Sequence, residues 1–459
     1  MAHLTHWRSQ LKRNLLVHSA LSEALNPQAI ESACRSAGHA WRESFWNPTV
    51  TLITFLFQVL SAEKTLRAGV SDLLSQLAAI GRENLPSPDP TGYCQARKRL
   101  PGSVLVKLLG FIAGRITQGP GPEARWLSRR VWIGDGTTVS MPDEPALQKR
   151  FPQPSAQRAG CGFPIARLVT LFDWATGTIV DLAIDSLHVH ELPLFRRLWR
   201  HFQPGDVVVY DRACCSYVDI ASLLARGVFC VFRLHQRRKS DFRAGLCLGH
   251  DDQLVVWRKP EQWMESTGIS RREWEELPAT LTVRQVRITQ VPRGFRSRTI
   301  VVVTTLLNPV ETPADQIRAL YRDRWMAELN IRSIKSQLGM EILRGQSVDV
   351  VVKEIAMHLI VYNLIRLLMW QAAREHNRDL HRLSFTGTLH RLRDLLPVLL
   401  RARSRGEQER LMAQLLIWIA NDLVPDRPDR FEPRRVKRRA KPHDLLLKPG
   451  AWSHRRRRD

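Results

Sequence analysis

Between residues 129 and 233 the chain alternates short apolar runs with amphipathic ones, in an order that few architectures accommodate. Val131-Trp-Ile-Gly-Asp135, Ala166-Arg-Leu-Val-Thr-Leu-Phe172 and Thr178-Ile-Val-Asp-Leu-Ala-Ile184 have the length and β-branched content of strands. The turn-like Asp173-Trp-Ala-Thr-Gly177 separates the last two, so three strands precede any helix. A helical stretch, His190 to Phe202, leads through Pro204-Gly205 into the apolar strand Asp206-Val-Val-Val-Tyr-Asp211. A second helix, Tyr217 to Arg226, precedes the strand Val228-Phe-Cys-Val-Phe-Arg233. Such a succession predicts an α/β sheet covered by helices.

That element order matches a ribonuclease-H-like fold, expected to begin near residue 126 and run to 234. The preceding residues, 1–125, read as a helical region, with an amphipathic run from Leu11 to Leu25 and a more apolar one from Thr49 to Leu60. Three prolines between Leu85 and Gly92 prevent helix continuation. Beyond them Tyr93-Cys-Gln-Ala-Arg-Lys-Arg-Leu100 predicts a short basic helix, which either lies on a polyanion or presents a solvated basic face. Residues 235–307 form a charged, β-rich insertion, with Gln253 to Trp257, Leu281 to Ile288 and Thr299 to Thr305 as its strands. The core resumes over 308–345 with a long helix from Pro313 to Gly339. A helical region follows over 346–433, and a basic, partly disordered arm over 434–459.

Lys and Arg total 69 against 44 Asp and Glu, a formal net charge of +25. Such a surplus favours a polyanionic partner, and nucleic acid comes first because Arg offers phosphate a planar fork of donors. Membrane is the weaker candidate. The most apolar long run, Val350 to Trp370, is interrupted by Lys353, Glu354 and Arg366, and reads as a buried helix. The first residues lack the basic segment and apolar run of a secretory signal, which places the protein in the cytoplasm. The seven cysteines show no Cys-x-x-Cys spacing, so reduced, mostly buried thiols are expected.

Asp135 and Asp211 each end an apolar strand in this reading. In open α/β sheets such ends line the functional crevice, where two carboxylates can share divalent ions; alternatively each caps a turn. Mg²⁺ is a hard ion that prefers oxygen ligands, and paired ions serve phosphodiester transfer. A third acid, Glu328, lies among Tyr321, Arg324 and Lys335 at offsets 0, 3, 7 and 14, which share one face of a helix. That stripe suits a carboxylate on a metal with cations beside it for phosphate oxygens, or else an ordinary solvated face.

The spacing Tyr-x2-Arg-x3-Glu-x6-Lys resembles the signature of the IS-four family of insertion-sequence transposases, members of the DDE superfamily. Asp135-Gly-Thr-Thr is similar to the block around that family's first catalytic aspartate, and Gly205-Asp-Val-Val-Val-Tyr-Asp211-Arg212 to its second. Asp211 and Glu328 are 117 positions apart, and the β-rich segment between them resembles the family's insertion domain. Thr91 to Pro101 and the basic Arg434 to Lys448 also look familial. The resemblance implies a DNA transposase with a ribonuclease-H-like core, two Mg²⁺ or Mn²⁺ ions, and a homodimer that pairs transposon ends before cleavage and strand transfer. It makes Asp135, Asp211 and Glu328 the catalytic, metal-binding triad, and Tyr321, Arg324 and Lys335 contacts to the terminal DNA. The rival readings are a nuclease of the same fold that does not join DNA, and an inactivated DNA-binding remnant, which should have lost a triad carboxylate.

Other residues carry weaker signals. Trp257, Trp263 and Trp274 serve packing or stack on an extruded base, as in related enzymes that form DNA hairpins. Trp325 is expected in the core. His188, His190 and Glu191 lack a second pair of ligands at zinc spacing and read as helix-start polar residues. The terminal Arg455-Arg-Arg-Arg458 either grips DNA or keeps a tail soluble.

Overall fold

The computed structural model describes residues 26–425, apart from 43, 80, 82–84, 120, 122–123, 159, 291–297 and 403. The expected helix from Leu11 to Leu25 and the basic arm over 434–459, including Arg455 to Arg458, lie outside the described residues.

Five helices open the described chain: α1 (Pro27–Ser36), α2 (Pro48–Leu60), α3 (Leu66–Ala79), α4 (Thr91–Arg99) and α5 (Gly102–Thr117). Asn47 starts α2 by accepting a 3.0 Å bond from the Val50 amide, and Pro48 occupies the first turn, where its missing N–H costs nothing. Every side chain of α2 is buried, which explains a helix that is apolar all round. The basic helix α4 divides its charges. Arg97 turns inward, donating to Gln58 Oε1 at 3.2 Å and stacking over Phe55, whereas Lys98 and Arg99 remain exposed.

The sheet begins with β1 (Val131–Ser140). After the short helix α6 (Pro145–Arg150) come β2 (Ile165–Asp173) and β3 (Ile179–Ser186). Helix α7 (Glu191–Arg197) leads to β4 (Val207–Tyr210), and α8 (Tyr217–Ala225) to β5 (Phe229–Arg233). In the order β3-β2-β1-β4-β5, β1 is antiparallel to β2 and parallel to β4, and β4 is parallel to β5. This is the ribonuclease-H-like α/β core the element order predicted. Alternate residues of β1 and β4 feed two different clusters: Ile133 and Val209 face one side, Trp132, Val208 and Tyr210 the other. Both faces are therefore covered.

Strands β6 (Leu246–Gly249), β7 (Asp252–Arg258), β8 (Thr280–Gln290) and β9 (Arg298–Thr304), with α9 (Arg271–Glu276) between β7 and β8, extend the same sheet beyond β5. β9 pairs antiparallel with β5, matching Val231 to Thr304. The short β6 was not legible in the sequence, because its residues are almost wholly exposed and show no alternation.

The expected helix from Pro313 to Gly339 is divided. It runs as α10 (Ala314–Asp323) and α11 (Trp325–Arg332), with a tightened turn at Arg324 where amide bonds span three residues, and then widens into a π-turn over Ser333–Gln337. Its buried face is built by Ile317, Leu320, Ala327 and Ile331. Trp325 lies off that face and is 45% exposed, so the expectation that it sits in the core is wrong.

The C-terminal helices are α12 (Val348–Glu375), α13 (Phe385–Arg401) and α14 (Arg405–Asn421). α12 is a buried helix, as expected, and among the described residues no single helix is long and apolar enough to cross a membrane. Its polar interruptions hold other segments in place. Lys353 donates to the Lys98 carbonyl at 2.8 Å, Glu354 accepts from the Gly345 amide at 2.8 Å, and Arg366 Nε donates to the Thr176 carbonyl at 2.9 Å. Tyr362 and Asn363 bond Gly177 and Ile179 in the same β2–β3 turn. Gly177 has a φ of +65°, and a Cβ there would lie 2.7 Å from Arg366 Nη2, so only glycine fits.

His358 of α12 is fully enclosed, shares a 2.8 Å bond between Nδ1 and the Glu354 carbonyl, and is held near pKa 4 chiefly by burial. The folded chain thus keeps this ring neutral where the unfolded chain, titrating near 6.5, takes up a proton. Stability from this site is present above about pH 6.5 and falls until about pH 4. We expect denaturation at pH 7 and pH 5 to show a loss of ~2 kcal/mol that His358→Gln lacks, and equal losses in both chains would refute it.

Candidate active site

The parallel pairing of β1 with β4 ends at Ile133 and Val209, whereas the antiparallel pairing of β1 with β2 continues to Ser140 and Ile165. Asp135 therefore does not end its strand, contrary to the expectation from sequence. It sits in mid-strand, because Gly136 to Ser140 still have a partner on the β2 side. What ends there is β4, and its departure opens a crevice along one edge of β1. Asp135 lies two residues past Ile133, and Asp211 two residues past Val209, so neighbouring parallel strands bring both carboxylates to the same level.

Asp211 follows β4 directly, and its Oδ1 accepts the Ala213 amide at 2.7 Å, fixing the carboxylate at the start of a 3-10 turn. Asp135 is deeper, with its side chain 18% exposed. Its Oδ1 accepts the Gly136 amide at 3.1 Å, and its carbonyl accepts the Thr170 hydroxyl at 3.0 Å.

The divided helix delivers the other groups. Glu328 occupies the first turn of α11, and its Oε1 accepts Arg324 Nη2 at 2.6 Å. Arg324 Nη1 stands 3.8 Å from Asp135 Oδ1. One guanidinium thus bridges the acid of the sheet and the acid of the helix. Burial raises the Tyr321 phenol, Arg324 and Arg233 oppose the shift, and Asp211 adds to it. Lys335 lies in the π-turn, largely buried, with Nζ 3.9 Å from Glu341 Oε1; the Glu341 carbonyl in turn accepts the Ser140 amide at the far end of β1. Trp174, in the β2–β3 turn, donates to Asp323 Oδ2 at 3.0 Å and ties the helix break to the sheet.

The site's electrostatics follow from crowding acids in a half-dry crevice. Burial pushes the Asp135 carboxyl up to about 7; Arg324 opposes the shift, and Glu328 and Glu191 add to it. Burial alone would lower the Arg324 guanidinium, but Glu328, Tyr321 and Asp135 outweigh it and hold the charge firmly.

Sequence reasoning missed two participants, Glu191 and Tyr210. Tyr210 OH donates to Glu191 Oε1 at 2.5 Å, and a Cβ placed on Gly136 would lie 2.5 Å from that carboxylate. The glycine directly after Asp135 was the available signal. The neighbouring histidines do otherwise: His190 precedes α7 as its cap without a side-chain bond, and His188 Nε2 lies 3.2 Å from the Gln153 carbonyl. Trp257 and Trp274 are buried, whereas Trp263 is 37% exposed and donates to the Ile269 carbonyl. All seven cysteines are free thiols.

Residues 126–364 match the family of the transposase DDE domain, a span that takes in every carboxylate described above. The chain belongs to the DDE transposase family. It is 24% identical over 360 residues to the transposase InsG for insertion sequence element IS4 of Escherichia coli (strain K12), covering 78% of each protein. A solved structure of a piggyBac transposase synaptic complex with hairpin DNA matches 91% of this chain and 88% of that one, with 9% identity and a TM-score of 0.45. The IS-four resemblance seen in the signature thus extends through most of this DDE transposase.

Proposed function

We propose that this transposase binds the ends of its element and catalyses DNA cleavage and strand transfer with Asp135, Asp211 and Glu328. The observation that carries the assignment is the Arg324 guanidinium seated between Asp135 and Glu328, two acids from separate elements, with Asp211 on the neighbouring strand at the level of Asp135.

The donor set fits divalent metal. All three side chains are hard oxygen ligands of the kind Mg²⁺ and Mn²⁺ select. Among the described residues no three such groups lie close enough together to chelate one ion as arranged, and Arg324 occupies the place between two of them. Asp135 and Asp211, on neighbouring strand positions, would hold one ion, and Glu328 would complete a second site once Arg324 swings to DNA phosphate. When bound, such ions activate the attacking oxygen and stabilise the leaving one. The protein's own part is positional. Tyr321, Arg324 and Lys335 grip the terminal strands, Asp135 and Asp211 present their carboxylates from neighbouring strands, and the basic surface of a +25 chain draws in the duplex. Pairing of two ends requires two chains, so the working form is a homodimer on DNA in the bacterial cytoplasm, at the nucleoid.

Joining of a labelled, pre-cut terminal duplex to plasmid DNA in Mg²⁺ tests this reading. Joined product that disappears with EDTA is expected. Cleavage without joining would replace the proposal by a nuclease, and binding without either by an inactive remnant.

A further inference from the structure

Glu191 begins α7 on the connection between β3 and β4, after the cap residue His190. The charge of its carboxylate acts on Asp135, and those of Asp211 and Arg324 act on it. One side meets Gly136, the residue after Asp135, at a distance that leaves no room for a Cβ. The other accepts a 2.5 Å bond from Tyr210 OH, on the residue before Asp211, itself wholly buried. The carboxylate is thus bracketed by the chain neighbours of the two aspartates. Among the described residues no Lys, Arg or His forms an ion pair with it, and Arg167 and Arg324 act on it only from beyond that distance.

A neutral acceptor would serve the Tyr210 hydroxyl equally well. Placing a charge there instead, partly desolvated and close to other acids, is costly unless a cation offsets it.

We propose that Glu191 is a fourth carboxylate of the catalytic centre, aimed by Tyr210 at a divalent cation held beside Asp135. This rests on the reading of the triad as a metal site. Glu191 contributes an oxygen, or a hydrogen bond to a coordinated water, from the helix side of the crevice, while Asp135 and Asp211 approach from the sheet. Gly136 is glycine because any side chain would push that carboxylate away.

The test is Mn²⁺ binding by the full-length chain, read from the electron paramagnetic resonance signal of free Mn²⁺, for the intact protein, Glu191→Gln and Asp135→Asn. Gln preserves shape and can still accept from Tyr210, so a purely structural role predicts no change. The expected result is Mn²⁺ affinity weakened about tenfold in Glu191→Gln, the scale of losing one supporting ligand. Unchanged affinity and stoichiometry in Glu191→Gln, with weakened binding in Asp135→Asn, would overturn the role of Glu191 alone. No saturable binding by the intact chain, or none lost in Asp135→Asn, would overturn the metal reading of the triad and this inference with it. If Glu191→Gln no longer unfolds cooperatively, Tyr210→Phe replaces it. That variant leaves the carboxylate in place but unaimed; weaker Mn²⁺ binding supports the proposal and unchanged binding refutes it.

Discussion

Replacing Glu328 with Gln is expected to lower joining of a pre-cut transposon end by about 10³-fold or more, equivalent to ~4 kcal/mol of transition-state stabilisation. The substitution keeps the shape of the side chain and an oxygen for Arg324, and removes only the charge. DNA affinity should stay within a fewfold of the intact chain, because it is governed by phosphate contacts from Lys and Arg. Filter binding and joining on the same labelled duplex separate the two effects. If joining persists unaltered in Glu328→Gln, Glu328 has no place in the mechanism. If DNA binding collapses in parallel, the residue acts by shaping the Arg324 contact instead.

The largest stability effect is expected far from the crevice, at Arg284 in β8. This side chain is fully buried and forms a two-pronged ion pair with Asp252 of β7, the Nε–Oδ1 bond measuring 2.8 Å. Its Nη1 also donates to the Thr312 carbonyl at 2.7 Å, just ahead of α10. Arg284→Met leaves Asp252 buried without a partner, which costs about 3–5 kcal/mol. The double variant Arg284→Met/Asp252→Leu should recover most of that loss, since a well-packed apolar pair can replace a buried ion pair. Urea denaturation of the intact chain, the single and the double variant measures both. A single variant as stable as the intact chain would show that the pair contributes nothing. Because Thr312 precedes α10, which leads directly into Arg324 and α11, the ion pair also links strands β7 and β8 to the placement of Glu328.

Much of this was legible in the chain. Local patterning suffices for the strands around Val131, Val169 and Val208, whose apolar runs record burial on both faces, and for α12, whose long apolar run, interrupted only by Lys353, Glu354 and Arg366, records a largely enclosed helix. Residue types and spacing make Asp135, Asp211 and Glu328 candidate hard-metal donors with Arg324 as a cationic companion, and the family resemblance of the blocks around them is what set that reading above turn caps and a solvated helix face. The surplus of Arg and Lys points to a polyanion without any knowledge of shape.

Tertiary structure decided the rest, and for one reason: each remaining feature depends on which distant segment lies alongside. Asp135 is in mid-strand because β2 outlasts β4 as its neighbour, a fact of register absent from the residues near 135. Trp325 is exposed because the packing face of the divided helix passes to one side of it. Glu191 looked like an ordinary helix-start acid, and becomes part of the site only because α7 docks its first turn over Gly136 and against Tyr210. Side-chain chemistry and periodicity are local and can be read along the chain. Convergence of charges is a property of register and docking, and exists only once the sheet has closed around them.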